Sequence, residues 1–270
     1  MKRNNFYIFI PTRSRQRQQG VALFVVIVFV LLSMLLALWA SRSSLFNEML
    51  VGNDADYQRA FSAAQALVQD AELDIQGANS NGTTCTVDAD DLKVCRRGIK
   101  EQFPIEEKEV GTLLADLDNL PATGPKCKHG MCLKRSDRPG KVDKQDFWNN
   151  STASAGITLA QMTGTHASDG APVGARYGQF TGAKLGNDND PANPILRDRS
   201  AVNKGGWYWI EVMPYDSAAG NSGLIVGGST NLALTLVPNV AYRITAVAYG
   251  QKSSTQVVLQ ETYVRQKRKD

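Results

Sequence analysis

Polarity along the chain changes its period twice. From Val21 to Ala40 the sequence reads VALFVVIVFVLLSMLLALWA, uncharged throughout and interrupted only by Ser33. As a helix rising ~1.5 Å per residue, such a run spans about 30 Å, the depth of one bilayer hydrocarbon core. Beyond it the apolar positions thin to a stripe: Phe61, Ala64, Leu67, Val68, Ala71 and Ile75 recur at three- and four-residue steps. Gln58, Arg59, Gln65, Gln69, Asp70, Glu72 and Asp74 lie mostly between them. This pattern predicts an amphipathic helix continuous with the apolar one, from about 22 to 76. Gly52-Asn53-Asp54 predicts a kink or brief break, since Gly weakens a helix and Asn or Asp caps a restarted one. The helix is expected to stop near Gly77, where GANSNGTT gathers turn residues.

Near the other end the period shortens to two. Trp207 to Val212, Tyr242 to Tyr249 and Gln256 to Val264 are rich in aromatic and β-branched residues and bounded by turn formers. Gly250 to Thr255 reads as the hairpin connection between the last two, and Leu232 to Val237 as a further strand before Pro238. An antiparallel sheet of three or four strands laid on the Phe61 to Ile75 face makes an α+β headpiece. Residues 77–204, dense in Gly, Asn, Asp and Ser, read as a loop-rich central insertion. The domain organisation is therefore residues 1–20, a basic leader; 21–40, a membrane span; 41–76, the amphipathic helix; 77–204, the insertion; and 205–270, the sheet.

Charge adds orientation. The 30 Lys and Arg outnumber the 26 Asp and Glu, but Lys2, Arg3, Arg13, Arg15 and Arg17 crowd the first 20 residues, which hold no acid. Without those five the chain carries 25 cations against 26 acids, so the body is not a basic protein and nucleic acid is not an expected partner. Five cations before the span, and Arg42 followed by Glu48, Asp54 and Asp56 after it, keep the N-terminus in the cytoplasm. Three readings compete for the span. A cleaved secretory signal has a shorter apolar core and a better cleavage site than Ser41-Arg42-Ser43. An uncleaved signal anchor explains the hydropathy but not the flanks. The third reading takes the basic leader ending in Gln19-Gly20, followed abruptly by Val21, as a processing junction.

That junction resembles the type IV prepilins, and the resemblance implies cleavage after Gly20 and N-methylation of Val21 by a prepilin peptidase. Within the segment NEMLVGNDADYQRAFSAAQALVQDAE, the residues Glu48, Gly52, Asn53, Arg59, Ala60, Phe61, Ala63, Ala64, Ala66, Leu67, Asp70, Ala71 and Glu72 are similar to PilX-type minor pilins. WYWIEVMPY and, further on, AYRITAVAYGQKSSTQVVLQETYVR are similar to the terminal strands of the same subfamily. The likeness spans roughly residues 16–76 and 205–265. It implies a pilin-like fold, assembly at or near the filament tip, priming of the pilus, and display of a tip adhesin, with effects on adhesion, twitching motility or DNA uptake. It also implies as partners other minor pilins, the inner-membrane assembly platform and the lipid bilayer. The expected location is the inner membrane with a periplasmic headpiece, then the extracellular pilus.

One position departs from the major pilins, which carry Glu as the fifth mature residue; here Val25 stands there. In the family that carboxylate is held to neutralise a neighbour's terminal amine in the apolar filament core, where an unpaired charge is costly. Its omission is shared, by the same resemblance, with PilX-type subunits and the tip pseudopilins of type II secretion systems. Val25 as one more lipid-facing residue fits the same fact.

Residues with chemical potential are few. Cys85, Cys95, Cys127 and Cys132 all lie in the insertion and, after export, meet an oxidising compartment that favours two disulfides. Loop-closure entropy favours Cys85 with Cys95 and Cys127 with Cys132. A four-thiolate zinc site is the alternative, but the spacing lacks C-x2-C knuckles. Asn187-Asp188-Asn189-Asp190 has oxygen side chains suited to calcium, without the glycine or the distant Glu of a standard loop, and such clusters serve equally as turns. No metal ligand or cofactor is assigned. His129 and His166 belong to no motif that supplies a nucleophile or base, so no enzyme is read here. Trp207, Tyr208 and Trp209 suggest core packing before a ligand surface, and Arg265-Gln266-Lys267-Arg268-Lys269 a solvated tail. The reading is a PilX-like minor pilin. A type II pseudopilin and a signal-anchored periplasmic binding module are the alternatives.

Overall fold

The computed structural model describes residues 19–86, 94–135, 146–187, 189, 193–214 and 238–265. The chain divides into two units, Met1–Asn53 and Asp54–Asp270. Helix α1, Gln19–Gln76, is helical at every position, Gly52-Asn53-Asp54 included, so the expected break is absent. One glycine costs a helix about 1 kcal/mol, less than leaving two sets of terminal backbone groups to find new partners. Every side chain from Val21 to Val51 is exposed. The helix stops where the turn residues begin. Gly77 takes a left-handed φ of 68°; its N–H bonds to the Asp74 carbonyl at 3.0 Å while that of Ala78 reaches the Leu73 carbonyl at 2.9 Å. This pair of bonds is the Schellman closure.

In the second unit, the stripe Ala60, Ala63, Ala64, Leu67, Val68, Ala71 and Ile75 is buried. It packs against Tyr208, Ile210, Val212, Tyr242, Ile244, Ala246 and Ala248 in one core. Helix α2, Glu107–Asp118, adds Val110, Leu113 and Leu117 to that core. The remaining elements are strands β1 (Cys127–Lys128) and β2 (Met131–Leu133), short helices α3 (Leu159–Met162) and α4 (Pro194–Arg197), and strands β3 (Gly206–Pro214), β4 (Val240–Tyr249) and β5 (Gln256–Tyr263).

The strands form one sheet in the order β1-β2-β3-β4-β5. The three C-terminal strands pair antiparallel, Trp209 opposite Thr245 and Thr245 opposite Gln260. The sheet as a whole is not antiparallel, as expected from sequence, but mixed: β2 runs parallel to β3, Cys132 opposite Glu211. Parallel strands need a long crossover, and residues 134–205 supply it. The insertion thus joins the sheet instead of lying outside it. It also covers the sheet's second face, where Trp207, Trp209 and Val247 pack with Phe147, Met162 and Val173. Two covered faces explain why β3 is buried at seven consecutive residues, Gly206 to Val212. The expected strand at Leu232 to Val237 lies outside the described residues.

Candidate functional site

The surface this molecule leaves for others is set first by α1. Gly20 and Val21 fall in its first turn, and Leu23, Phe24, Phe29, Leu36 and Trp39 are all more than half exposed. The span is long and apolar enough to cross a membrane. Its one hydroxyl is satisfied internally, since Ser33 Oγ donates to the Phe29 carbonyl at 2.8 Å. Val25, 43% exposed, brings no charge to this surface.

Further along α1, three acids anchor the headpiece. Asp56 accepts from the backbone N–H of Gln251 at 2.9 Å and of Lys252 at 3.1 Å, holding the β4–β5 hairpin. Burial pushes its carboxyl up, but the Thr255 hydroxyl, those two N–H groups and the Lys252 charge outweigh it and hold the pKa below the ordinary value. Asp70 accepts from the Gly178 N–H at 2.7 Å and from the Thr181 hydroxyl. Burial dominates there and, with the neighbouring Asp74, lifts its pKa to about 7 against those two hydrogen bonds and Arg199. Asp74 forms a two-pronged pair with Arg96, Oδ1 to Nε at 2.8 Å and Oδ2 to Nη2 at 2.6 Å, and accepts from the Tyr208 hydroxyl at 3.1 Å. The Arg96 guanidinium stacks over the Phe180 ring at 3.9 Å and faces Phe103 at 4.7 Å. The sequence pattern put Asp70 and Asp74 among the polar positions between the stripe; they are 2% and 6% exposed. Their i, i+4 spacing, one step from Leu67, Ala71 and Ile75, was the available signal.

The cysteines pair Cys85–Cys95 and Cys127–Cys132. The first ties the turn after α1 to the residue preceding Arg96. The second clips β1 to β2 at a register pair, beside a two-residue turn in which His129 and Gly130 take φ of 51° and 77°. His166 Nε2 lies 2.6 Å from the Cys127 carbonyl, which can only accept, so that nitrogen carries the hydrogen. His129 sits 4.0 Å from Glu101 and its pKa is lowered, chiefly by burial. His166 thus braces the disulfide hairpin, while His129 forms its turn. Next to it Glu211, fully buried, accepts from Arg243 at 2.7 Å and from the Arg135 N–H at 2.7 Å; these cations hold its carboxyl low although burial raises it. Trp207, Tyr208 and Trp209 are buried in packing, Trp209 edge-on to Phe147 at 4.8 Å.

Among the described residues no cluster of His, Cys, Asp or Glu is arranged to hold a metal ion. Asn187 Oδ1 accepts from the Asn189 N–H at 2.9 Å, a turn bond, while Asp188 and Asp190 lie outside the described residues, as does the tail after Arg265. The open surfaces of the headpiece are clefts. One, about 500 Å³, is lined by Gln76, the Cys85–Cys95 bridge, Phe103, Ile105 and Arg265. Another, about 520 Å³, runs between Phe61, Gln65, Val68, Gln69 and Glu72 of α1 and Leu259, Gln260 and Glu261 of β5. Among the described residues, Asp74 and Glu211 are paired with arginines, Asp56 and Asp70 are held by hydrogen bonds, and the apolar helix and these clefts are left uncovered.

Two family models match. The one described as type IV pilus assembly protein PilX C-term covers residues 119–265, more than half the chain, and the one described as PilX N-terminal covers residues 19–68. No curated protein and no solved structure shows a significant similarity to the chain. The matches follow the fold in order, the apolar helix first and then the later part of the insertion with all five strands. The chain belongs to the PilX family of type IV pilus assembly proteins, as a minor pilin with a long apolar N-terminal helix and an α+β headpiece.

Proposed function

We propose that this minor pilin acts at or near the tip of the pilus, where it helps to prime assembly and to display a tip adhesin. Prepilin peptidase removes the leader after Gly20 and methylates Val21. Val21 to Ala40 then holds the subunit in the inner membrane, headpiece in the periplasm, until the assembly platform lifts it into the filament beside other minor pilins, and it ends outside the cell. The observation that carries the tip position is Val25 at the fifth mature place. A subunit in the shaft must neutralise a terminal amine buried in apolar surroundings, and an isolated buried charge is costly. A subunit without the acid is tolerated best where no such amine needs it. The exposed apolar face of α1 supports the lateral packing that this requires.

The test is mass spectrometry of the mature N-terminus in sheared pili, with immunogold labelling of the headpiece. A peptide beginning with methylated Val21, and label at filament ends, are the expected results. Recovery of the chain only in membranes with its leader attached overturns the reading, and label along the shaft overturns the tip position.

A further inference from the structure

Strand β5 is an edge of the sheet. Its residues Gln256 to Tyr263 pair with β4 on one side, and among the described residues its other side has no backbone partner. Among the described residues, alternate N–H and C=O groups along that side are left for a further strand, the arrangement that native edges usually block with charge, proline or a covering element. Here the edge is instead flanked by a groove of about 520 Å³. Gln260 faces opposite to Leu259 and Glu261 along the strand, and all three line the groove, so it opens along the edge itself.

The lining is graded. At one end Phe61 stacks on Tyr57 at 6.5 Å between centroids, with Val68 beneath. At the other stand Glu72 of α1 and Glu261 of β5, followed by Gln76, whose Nε2 donates to the Tyr263 hydroxyl at 2.8 Å. No ion pair among the described residues uses either glutamate. Two carboxylates have been brought together across two elements, and among the described residues no cation pairs with either. Partial burial, and then a hydrogen bond to Glu261 and its charge, push the Glu72 pKa up to about 7, so a cation seated here would take the place of the proton that the two carboxyls share.

We infer that this groove is the docking site for an extended, Lys- or Arg-bearing segment of a different pilus-assembly subunit, which adds alongside β5 and sets its cation between Glu72 and Glu261. The inference rests on the proposed function for the kind of partner, and on the open edge, the graded lining and the charge complementarity for the site. Backbone bonds to the edge supply affinity, and the apolar and acidic ends fix register and direction.

The test places a photo-crosslinking residue at Gln65 or Gln69, exposed on the groove's helical wall, in the full-length chain in piliated cells. The expected adduct joins this chain to another pilin subunit, at a segment with Lys or Arg close to the crosslinked residue. Glu72→Lys with Glu261→Lys is expected to lower the adduct yield about tenfold, and an opposite-sign exchange of the partner's cation to restore it. Glu72→Gln with Glu261→Gln removes the mutual repulsion, so its fold is no weaker, and its yield still drops a few-fold. An adduct only within the same chain, an adduct only with a second copy, or a yield indifferent to both substitutions overturns the inference. Sheared pili from the same cells separate the two readings: a chain present in pili without the groove adduct sinks the docking site alone, whereas absence from pili sinks the proposed function.

Discussion

Asp70 is an acid whose environment favours its proton. Its folded pKa of about 7 lies above the ordinary 3.8, so between those values the folded state holds a proton that the unfolded state has lost. Stability contributed by this group therefore falls as pH rises from about 4 to 7. Glu72 is shifted the same way, and Glu211, held low, contributes in the opposite sense only below its ordinary 4.5, so the effect of Asp70 is read as a difference between chains. Asp70→Asn keeps an acceptor for the Gly178 N–H and removes the titration. Urea unfolding of the full chain in detergent, at pH 5 and pH 8, is expected to show a smaller pH-dependent loss for the variant, by at most a few kcal/mol. Equal losses in both chains would show that the Asp70 proton is not linked to folding. A second residue is legible only in three dimensions. A Cβ on Gly206 would lie 2.4 Å from Leu67 Cδ1 and 3.1 Å from the Val247 carbonyl, because α1 and β3 meet there without room for a side chain. Gly206→Ala is expected to cost about 1–3 kcal/mol. Combined with Leu67→Ala it is expected to cost less than the sum of the two, since the truncated leucine makes room; strict additivity in the unfolding free energies contradicts that contact.

At the scale of elements, helices and long strands were readable where short ones were not. The span, the stripe from Phe61 to Ile75, the Gly77 stop and β3, β4 and β5 follow from period and turn chemistry, to within three residues at the ends of the helix and strands. The β1–β2 hairpin does not. Its strands are two and three residues long, too short for any alternation to register, and its turn puts a histidine where Gly or Asn is usual. That hairpin is what makes the sheet mixed. The buried acids escaped for a related reason: a periodic stripe tells which face is covered, not how far neighbouring segments wrap round it, and residues 96 and 178–181 wrap round Asp70 and Asp74. The two disulfides differ in the same local way. Cys127 and Cys132 are 1% and 0% exposed within the sheet, while Cys85 and Cys95 are partly exposed at the helix end. Exchange requires a thiolate to reach sulfur. Mild reductant followed by alkylation is expected to label Cys85 and Cys95 first, and to loosen the Arg96 side of the core while β1 and β2 stay protected from proteolysis. Equal labelling of all four cysteines under native conditions would mean that the sheet offers no protection.

For the whole molecule, the decisive quantity is apolar surface that the chain does not cover for itself. Between Val21 and Val51 no side chain is buried, and a run of this kind persists only against lipid or against other such helices. The same run is compatible with the shaft or the tip of a filament, and on the proposed tip reading a single position distinguishes them. Val25→Glu supplies the acid that shaft subunits use. In the membrane it adds a cost of up to about 3 kcal/mol, less near the end of the helix, where the carboxylate can reach the interface. On that reading the cost is offset in a filament wherever a neighbour's terminal amine is otherwise unpaired, along the shaft and not at its end. If the chain sits at the tip as proposed, the variant is expected to spread into the shaft, raising its ratio to the major subunit in sheared pili several-fold and moving immunogold label from filament ends to their length. Glu at a neighbouring position, Val26→Glu, carries the same membrane cost without the register, and is expected to lower incorporation instead. If Val25→Glu leaves both the ratio and the label where they were, position 25 does not decide where the subunit sits, and the tip assignment loses the observation it stands on.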